Sequence, residues 1–192
     1  MKGKAVIVSA PSGAGKTTLV RHLLAAFPRL EFSVSATSRQ KRENETEGKD
    51  YYFLTAEQFR EKVESDEFVE WQEVYPGSCY GTLKKELQRI WDKDAVPLFD
   101  VDVFGGMNLK KYFGNSGLSL FVQPPSRAIL EQRLRNRNSD SEESLQKRIG
   151  KAEYELSFAG QFDAVIVNDM LEKAVADASE RVRQFLESTS GK

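Results

Sequence analysis

Four short, mainly apolar runs recur along the chain, at residues 6–8, 96–99, 118–122 and 164–167. None of them alternates apolar with polar residues, as a strand with one face in water does. Continuous apolar strands are typical of parallel sheets that are covered by helices on both faces. The pattern therefore predicts an α/β fold around a central parallel sheet.

Apolar residues with helical spacing follow the first and the last of these strands. The positions after the first strand are Leu19, Val20, Leu23, Leu24 and Phe27. The positions after the last strand are Leu171, Ala174, Val175, Ala178, Val182, Phe185 and Leu186. We predict that Asp169 and Glu172 begin the last helix with a capping box, in which side chains bond the free backbone N–H groups of the first turn. Ser126 is predicted to cap the helix after the third strand.

The stretch between the first two core strands is more polar and alternates more. Residues 32–35 and 68–74 predict half-exposed strands, and the second places Glu70 on the same face as Phe68. Residues 55–58 have the pattern of a capping box before a helix, and residues 76–78 form a turn. A further helix is predicted with one apolar side formed by Leu83, Leu87, Ile90 and Trp91. A carboxylate placed as Glu70 is can be simply half-exposed, or it can accept hydrogen bonds from a ligand.

Composition narrows the class of protein. At 192 residues the chain fits one domain with small inserted lobes, and a net charge of −1 provides no cationic field that would favour nucleic acid. Cys79 and His22 are the single residues of their types, which leaves no zinc or haem motif and fits a reducing cytoplasm. No run approaches the roughly 20 apolar residues of a membrane span. We expect a cytoplasmic protein that contacts neither membrane nor nucleic acid; the sequence does not decide between monomer and homo-oligomer.

A loop rich in small residues joins the first strand to the first helix and ends in Gly15-Lys16-Thr17. Such a loop surrounds phosphate oxygens with backbone N–H groups, while the lysine reaches the outer phosphates and the threonine holds Mg²⁺. Ala10 stands where this motif ordinarily has its first glycine, so either this position has a negative φ or the loop is slightly altered. The alternative is a turn of small residues with a chance Gly-Lys-Thr. The strand before the loop and the helix after it favour the phosphate loop.

Two aspartates, Asp100 and Asp102, follow the second core strand. The carboxyl end of a strand beside a phosphate loop is the expected place for an acidic group that acts on Mg²⁺ or its waters. Residues two apart in a strand point to the same side, so the two carboxylates would repel unless a cation or polar groups lay near them. The alternative is a strand-end turn with solvated aspartates.

Two further groups of cations lie far apart in the sequence. Arg39, Lys41 and Arg42 precede the aromatic pair Tyr51 and Tyr52, which indicates an anion site with aromatic walls, although a solvated loop is the alternative. The second group is Arg133, Arg135, Arg137, Lys147, Arg148 and Lys151. It indicates a closing lid over phosphates, although solvated helices are the alternative. A groove with two anion sites and one Mg²⁺ locus, but without a nucleophilic Cys or His, is suited to phosphoryl transfer.

The chain resembles the guanylate kinases over essentially its full length. The run TSRQKRENETEGKDY at residues 37–51 matches that family's signature spacing, and APSGAGKT, FVEW, YGT, DVD and VND occur in the family's order. The resemblance implies a three-layer α/β/α fold of the phosphate-loop NTPases with a central parallel sheet, an inserted GMP-binding lobe and a helical lid. It divides the chain into core segments 1–35, 89–125 and 156–192, a GMP-binding lobe at 36–88 and a lid at 126–155.

The same resemblance implies a transfer of the γ-phosphoryl group from ATP, with Mg²⁺, to GMP. The implied catalytic residues are Lys16, Arg39, Arg133, Arg137 and Arg148. The implied ATP-binding residues are Ala10, Pro11, Ser12, Gly13, Ala14, Gly15, Lys16, Thr17, Thr18, Arg137 and Asn168, and Thr17 and Asp100 would serve the metal. The implied GMP-binding residues are Ser35, Arg39, Arg42, Tyr51, Glu70, Tyr80, Thr82, Asp100 and Asp102, with Glu70 and Thr82 on guanine.

Four residues depart from the family's pattern, namely Ala10, Cys79, Phe104 and Asn138, and none of the departures removes a charge that the mechanism needs. Two other functions remain possible. One is a related kinase for a ribosyl phosphate or another monophosphate, against which Glu70 and Thr82 argue. The other is a guanylate-kinase-like module that binds a phosphorylated partner, but such modules tend to lack a working phosphate loop.

Overall fold

A computed structural model describes residues 3–136 and 142–188 of the chain. Its strands are β1 Ala5–Ser9, β2 Leu30–Phe32, β3 Ala36–Thr37, β4 Tyr52–Phe53, β5 Phe68–Tyr75, β6 Ser78–Leu83, β7 Val96–Val101, β8 Gly117–Gln123 and β9 Ala164–Val167. Its helices are α1 Lys16–Ala26, α2 Ala56–Glu64, α3 Lys84–Trp91, α4 Val103–Phe113, α5 Arg127–Arg135, α6 Glu142–Leu156 and α7 Leu171–Glu187. Short 3-10 turns occupy Gly114–Ser116 and Ala159–Gln161.

The central sheet has five parallel strands in the order β2-β7-β1-β8-β9. Strand β1 is buried along its whole length. In its register Ser9 lies opposite Val101 on β7 and Phe121 on β8, so that three carboxyl ends meet at one edge of the sheet. The predicted parallel sheet is confirmed, and this edge is where α/β proteins bind ligands.

Helices cover both faces of this sheet. Val6 and Val8 point to the face that packs against α1 and α7, through side chains such as Leu23 and Val182. Ala5 and Ile7 point to the opposite face, where Leu87 of α3 and Leu109 and Phe113 of α4 pack. Strand side chains alternate between faces, so one continuous apolar strand serves two cores. The chain therefore has the predicted three-layer α/β/α arrangement.

A smaller sheet of four strands, in the order β4-β3-β6-β5, stands apart from the central one. Strands β3 and β4 are parallel, whereas β6 runs antiparallel to both β3 and β5. Its own core consists of Ala36, Phe59, Phe68 and Leu83. Helix α2 supplies Phe59, and its Thr55 cap forms the predicted capping box with Gln58.

Two sequence predictions in this sheet and its neighbourhood are wrong. The strand predicted at residues 32–35 ends at Phe32, because the Val34 N–H donates to Glu86 Oε1 rather than to a neighbouring strand. Residues 78–83, including Cys79, form strand β6 rather than a turn leading to a helix. Gly81 made this stretch resemble a turn, but β5 approaches so closely that a Cβ there would lie 2.7 Å from the Glu70 carbonyl oxygen.

Two predictions about the last strand and the last helix are also wrong. Strand β9 is at the edge of the sheet, with β8 as its neighbour, so Val165 and Val167 are 42% and 44% exposed rather than buried. The capping box of Asp169 and Glu172 does not form, because the cap position falls on Met170, which has no side-chain acceptor. The predicted cap at Ser126 is confirmed by its bond from the Ile129 N–H.

The aspartates after the second core strand separate in the structure. Asp100 belongs to β7, but Asp102 has left the strand and caps α4, where its carboxylate accepts the Gly105 N–H at 2.9 Å. Helix α4 thus begins at Val103, two residues before Gly105 and Gly106. Within residues 3–136 and 142–188, no helix has both the length and the apolar character needed to cross a bilayer.

The contact between α4 and β1 generates a stability prediction. A Cβ at Gly106 would lie 2.0 Å from Ser9 Oγ, whereas a Cβ at Gly150 in α6 meets no heavy atom within 4 Å. Gly106→Ala should lower the free energy of unfolding by about 1–3 kcal/mol through overpacking. Gly150→Ala, the matched control, should raise it by about 1 kcal/mol through helix propensity. Urea unfolding measures both values, and equal effects of the two substitutions would contradict the proposed contact.

Candidate active site

A cleft of about 1040 Å³ lies between the two sheets, at the carboxyl ends of β1 and β7. Residues of both sheets and of α6 line it. Twelve of the site residues implied by the resemblance are among the lining residues: Ala10, Ser12, Lys16, Thr17, Ser35, Arg42, Tyr51, Glu70, Tyr80, Asp100, Asp102 and Arg148. The structure therefore brings the phosphate loop to the same groove as the second predicted anion site, the one around Arg39, Arg42 and Tyr51.

The phosphate loop occupies residues 10–15 between β1 and α1. Gly13 and Gly15 have φ values of 88° and 93°, in the left-handed region that favours glycine. Ala10 is not among the residues with positive φ, so its methyl group is accommodated without strain. The helix that begins at Lys16 directs its first N–H groups into the loop, which is the arrangement that binds phosphate.

The loop is supported from behind by residues from the far end of the chain. The buried Asn168 amide donates to the Ala14 carbonyl oxygen at 2.7 Å. The Arg133 guanidinium donates to the Asn168 carbonyl oxygen at 3.1 Å. A Cβ at Gly15 would lie 2.2 Å from Asn168 Nδ2, so the close fit itself requires glycine. Arg133 and Asn168 thus lie beside the loop, outside the cleft lining.

Lys16 is the positive centre of the cleft. Its ammonium group forms an ion pair with Asp100, and both side chains are largely buried. Burial lowers the pKa of Lys16 to about 8, against the opposing effect of the Asp102 and Glu155 carboxylates. The lysine is therefore surrounded by carboxylates in a poorly solvated site, where charge interactions are strong.

Asp102 connects the two sheets. In addition to capping α4, its Oδ1 atom accepts a hydrogen bond from the Gln72 side-chain amide of β5. Both residues line the cleft. The carboxylate of Asp102 is thus held at the floor of the cleft by one donor from each side.

Helix α6 closes the cleft above the phosphate loop. The Glu155 carboxylate is 4% exposed and lies close to the backbone N–H of Ser12. Burial raises the pKa of Glu155 to about 7, and the nearby Lys151 and Lys16 oppose this shift. The Arg148 guanidinium donates to Ser12 Oγ at 3.2 Å. Glu155 and Arg148 therefore attach one face of α6 to the same loop residue.

The opposite wall of the cleft contains the first of the two cation groups, with Arg39 and Arg42. The Arg39 guanidinium donates to both oxygens of Glu45, at 2.7 and 2.5 Å, and its Nε donates to the Tyr80 hydroxyl at 3.1 Å. It also lies 4.9 Å from the centre of the Tyr51 ring. The bonds from Arg39 lower the pKa of Glu45 to about 2. Arg39 is thus fixed behind Tyr80, while Arg42 and Ser35 line the cleft.

Glu70 lies on this wall and lines the cleft, but it does not share a face with Phe68, and that prediction is wrong. The register of β5 shifts between the two residues, so Phe68 stacks on Phe59 in the core of the smaller sheet while Glu70 points to the cleft. Its Oε1 atom accepts a hydrogen bond from the buried Thr82 hydroxyl at 3.0 Å. Burial raises the pKa of Glu70 to about 7, with a further contribution from the Asp102 carboxylate and an opposing one from Thr82. A carboxylate in such a place is suited to accept a pair of N–H donors from a ligand.

Two residues named from the sequence are not described by the structure, and three residues of the cleft region were not predicted from the sequence. Arg137 and Asn138 lie outside the described residues. The sequence reading missed Glu45, Gln72 and Glu155. A signal existed for Glu155, which is three positions after Ala152 and next to Leu156, on the buried side of α6. Glu45 gave no signal of this kind, since its partner is set by loop geometry.

The departures from the family pattern pack without disturbing the charged residues. Phe104, near the start of α4, lies 6.1 Å from the Tyr154 ring centre and 5.3 Å from that of Phe158. It therefore joins α4 to the end of α6. Cys79 packs against the core of the smaller sheet.

Nearly the whole chain is similar to proteins of one known family. A sequence model of the guanylate kinase family matches residues 2–187. The chain is 50% identical to the guanylate kinase of Bacteroides thetaiotaomicron over 97% of this chain and 91% of that protein. It is 46% identical to the guanylate kinase of Salinibacter ruber over 95% of this chain and 97% of that protein. It is similar to the crystal structure of guanylate kinase from Anaplasma phagocytophilum, with a TM-score of 0.76, 29% identity and coverage of 97% of this chain and 88% of that one.

The raised pKa of Glu155 generates a prediction about stability without nucleotide. The folded protein keeps this proton up to a pH of about 7, whereas the unfolded chain releases it near the ordinary value of 4.5. The folded state thus binds more protons in this window, so the free energy of unfolding should fall as pH rises through it, by about 1.4 kcal/mol per pH unit for one proton.

Glu155→Gln should remove this slope. Urea unfolding at pH 5, 6, 7 and 8 compares the variant with the natural chain. Glu153→Gln is the matched control on the same helix, since the Glu153 carboxylate pairs with Arg127. Curves for Glu155→Gln and the natural chain that stay parallel from pH 5 to 7 would show that Glu155 is ionised throughout.

Proposed function

This chain belongs to the guanylate kinase family, and we propose that it transfers the γ-phosphoryl group of ATP to GMP, giving ADP and GDP. One observation carries the proposal: Lys16 of the phosphate loop and Glu70 of the smaller sheet line the same cleft. Phosphoryl transfer depends mainly on the positioning of two substrates and on neutralisation of charge, so both binding sites must face one space.

We propose that the phosphate loop binds the triphosphate of ATP. The contributing residues are Ala10, Pro11, Ser12, Gly13, Ala14, Gly15, Lys16, Thr17 and Thr18. Backbone N–H groups of the loop and the start of α1 would hold the phosphate oxygens, and Lys16 would exchange its partner Asp100 for the outer phosphates. Asn168 would lie beside the adenine of ATP, and Arg137 would bind ATP as a cation of the lid, as the resemblance to the family implies.

Mg²⁺ fits this site by the chemistry of its donors. Thr17 and Asp100 both line the cleft and offer hydroxyl and carboxylate oxygens, the atoms that Mg²⁺ prefers. Among the described residues there is no cluster of three or more His, Cys, Asp or Glu side chains arranged for a metal. Mg²⁺ on a nucleotide needs one or two protein ligands besides phosphates and water. The ion, when bound, would neutralise charge on the transferring phosphates.

The second anion site would hold the phosphate of GMP. We propose Ser35, Arg39, Arg42, Tyr51 and Tyr80 for this role. Arg42 and Ser35 line the cleft directly, while Arg39 fixes the Tyr80 hydroxyl and adds positive charge from behind. Hydroxyl donors and guanidinium groups together are the usual partners of a phosphate.

Guanine recognition would rest on Glu70. Guanine presents two adjacent N–H donors, and a carboxylate accepts two such bonds at once. Adenine presents a ring-nitrogen acceptor at the corresponding place, which would face the lone pairs of the carboxylate. Thr82 holds the Glu70 carboxylate in position, and Asp102 lies at the floor of the cleft near the acceptor nucleoside. Unpaired buried polar groups discriminate against the wrong substrate by factors on the order of 10⁴.

The arginines at the other wall would stabilise the transition state. Arg148 already reaches the phosphate loop through Ser12, and Arg133 lies behind Asn168. Together with Lys16, Arg39 and Arg137 they form the proposed catalytic set. We assign residues 126–155 to a lid, residues 36–88 to the GMP-binding lobe, and segments 1–35, 89–125 and 156–192 to the core. We place the reaction in the cytoplasm, where a lone thiol such as Cys79 stays reduced.

A coupled assay of ADP formation tests the proposed function. With ATP and Mg²⁺ present, GMP should support rapid ADP formation, while AMP, UMP and CMP should be poorer by a factor on the order of 10³ or more. Equal rates with AMP and GMP would remove Glu70 from its role. ADP formation that is independent of any monophosphate would contradict the kinase assignment.

The raised pKa of Glu70 predicts a pH dependence for GMP. The carboxyl group must lose its proton to accept both N–H donors, so the KM for GMP should rise about tenfold per pH unit as pH falls below 7. The phosphate of GMP itself loses its second proton at about pH 6. Glu70→Gln separates the two effects: its KM for GMP should be higher throughout and should keep only the phosphate dependence. The KM for ATP is the internal control, and identical pH profiles of the two proteins would contradict the prediction.

A further inference from the structure

Helix α3 buries a carboxylate beneath the smaller sheet. Glu86 is 1% exposed, and its two oxygens accept four hydrogen bonds. Oε1 accepts from the Val34 N–H at 2.9 Å and from Arg89 Nη2 at 2.8 Å. Oε2 accepts from the Tyr52 hydroxyl at 2.8 Å and from Arg89 Nε at 2.9 Å. All the acceptor positions of this carboxylate are therefore used.

Two of these donors stand next to residues of the second anion site. Val34 directly precedes Ser35, and Tyr52 directly follows Tyr51. The Tyr52 N–H also donates to the Ser35 carbonyl oxygen at 2.9 Å. Glu86, Val34, Ser35 and Tyr52 thus form a closed ring of covalent and hydrogen bonds, which fixes Ser35 and Tyr51 relative to each other.

The ring is also attached to the central sheet. Residues 33–35 connect β2 of the central sheet to β3 of the smaller one. Arg89 forms one ion pair with Glu86 and a second ion pair with Glu31 of β2. The phosphate-binding segments are therefore anchored, through Glu86, to the strand that precedes them.

We propose that Glu86 is a positioning residue for the phosphate site of the monophosphate acceptor, an inference that rests on the proposed function. It touches neither substrate; it sets the distance between the Ser35 and Tyr51 segments that receive the phosphate. A carboxylate suits this place because it presents acceptor sites on both oxygens to four donors. A glutamine would offer one accepting oxygen and would turn N–H groups toward other donors.

The test compares three variants by steady-state kinetics. Glu86→Gln should raise the KM for GMP about tenfold. Tyr52→Phe removes the hydroxyl bond to Glu86 but keeps the aromatic side chain, and it should raise the KM for GMP about threefold. The KM for ATP should change by less than about twofold in both. Glu31→Gln is the matched control: it weakens the same ion-pair network at its far end, leaves Val34 and Tyr52 bonded, and should leave the KM for GMP unchanged.

Three results would overturn the proposal. They are an unchanged KM for GMP in both Glu86→Gln and Tyr52→Phe, a parallel rise in the KM for ATP, and an equal GMP-specific rise in Glu31→Gln. If Glu86→Gln does not fold, Tyr52→Phe decides, because it leaves Glu86 paired with Arg89. Failure of the natural chain to phosphorylate GMP would refute the proposed function instead, whereas an active natural chain with unaffected variants would refute only the role of Glu86.

Discussion

The ion pair between Lys16 and Asp100 is the interaction on which the arrangement of the cleft depends. It joins the first residue of α1 to a strand that lies beside β1, so its geometry follows from the parallel register in which Val8 is opposite Asp100. Asp102 and Glu155 add further negative charge around the same ammonium group. Under the proposed function, a triphosphate would bind beside these carboxylates only together with added positive charge, which Mg²⁺ and the arginines around the cleft would supply.

The two sheets divide the work of the protein. The central sheet is covered on both faces and presents its carboxyl ends as a rigid base. The smaller sheet, with its own core, carries Glu70 and Thr82, the residues that we propose distinguish one acceptor from another. Val69 of β5 packs against the core beneath α3 and α4, while polar contacts span the cleft, such as Gln72 with Asp102, and Lys151 of α6 over the Tyr75 ring at 4.5 Å.

Sequence patterns predicted the parts of the molecule that depend on local rules. Continuous apolar strands, helical spacing and the glycines of the phosphate loop each reflect the geometry of a few neighbouring residues, and the fold confirmed them. Strand β6 was missed because Gly81 serves a close approach between strands rather than a turn, and the cap at Asp169 failed because the chain enters α7 one residue later. Glu86 and Glu155 acquire partners from segments distant in sequence, and Glu45 meets Arg39 six positions away through the geometry of an irregular loop. No helical or strand periodicity therefore specified those bonds.

The support of the phosphate loop by Asn168 has a consequence for how the protein is made. The donor to the Ala14 carbonyl oxygen lies 154 residues further along the chain, at Asn168, directly after strand β9. Contacts of such large sequence separation form late, because the intervening chain must first be ordered. While the chain emerges from the ribosome, its nucleotide-binding loop therefore remains without its support until nearly all of the protein has been synthesised. The residues that begin the fold are among the last to reach their working geometry.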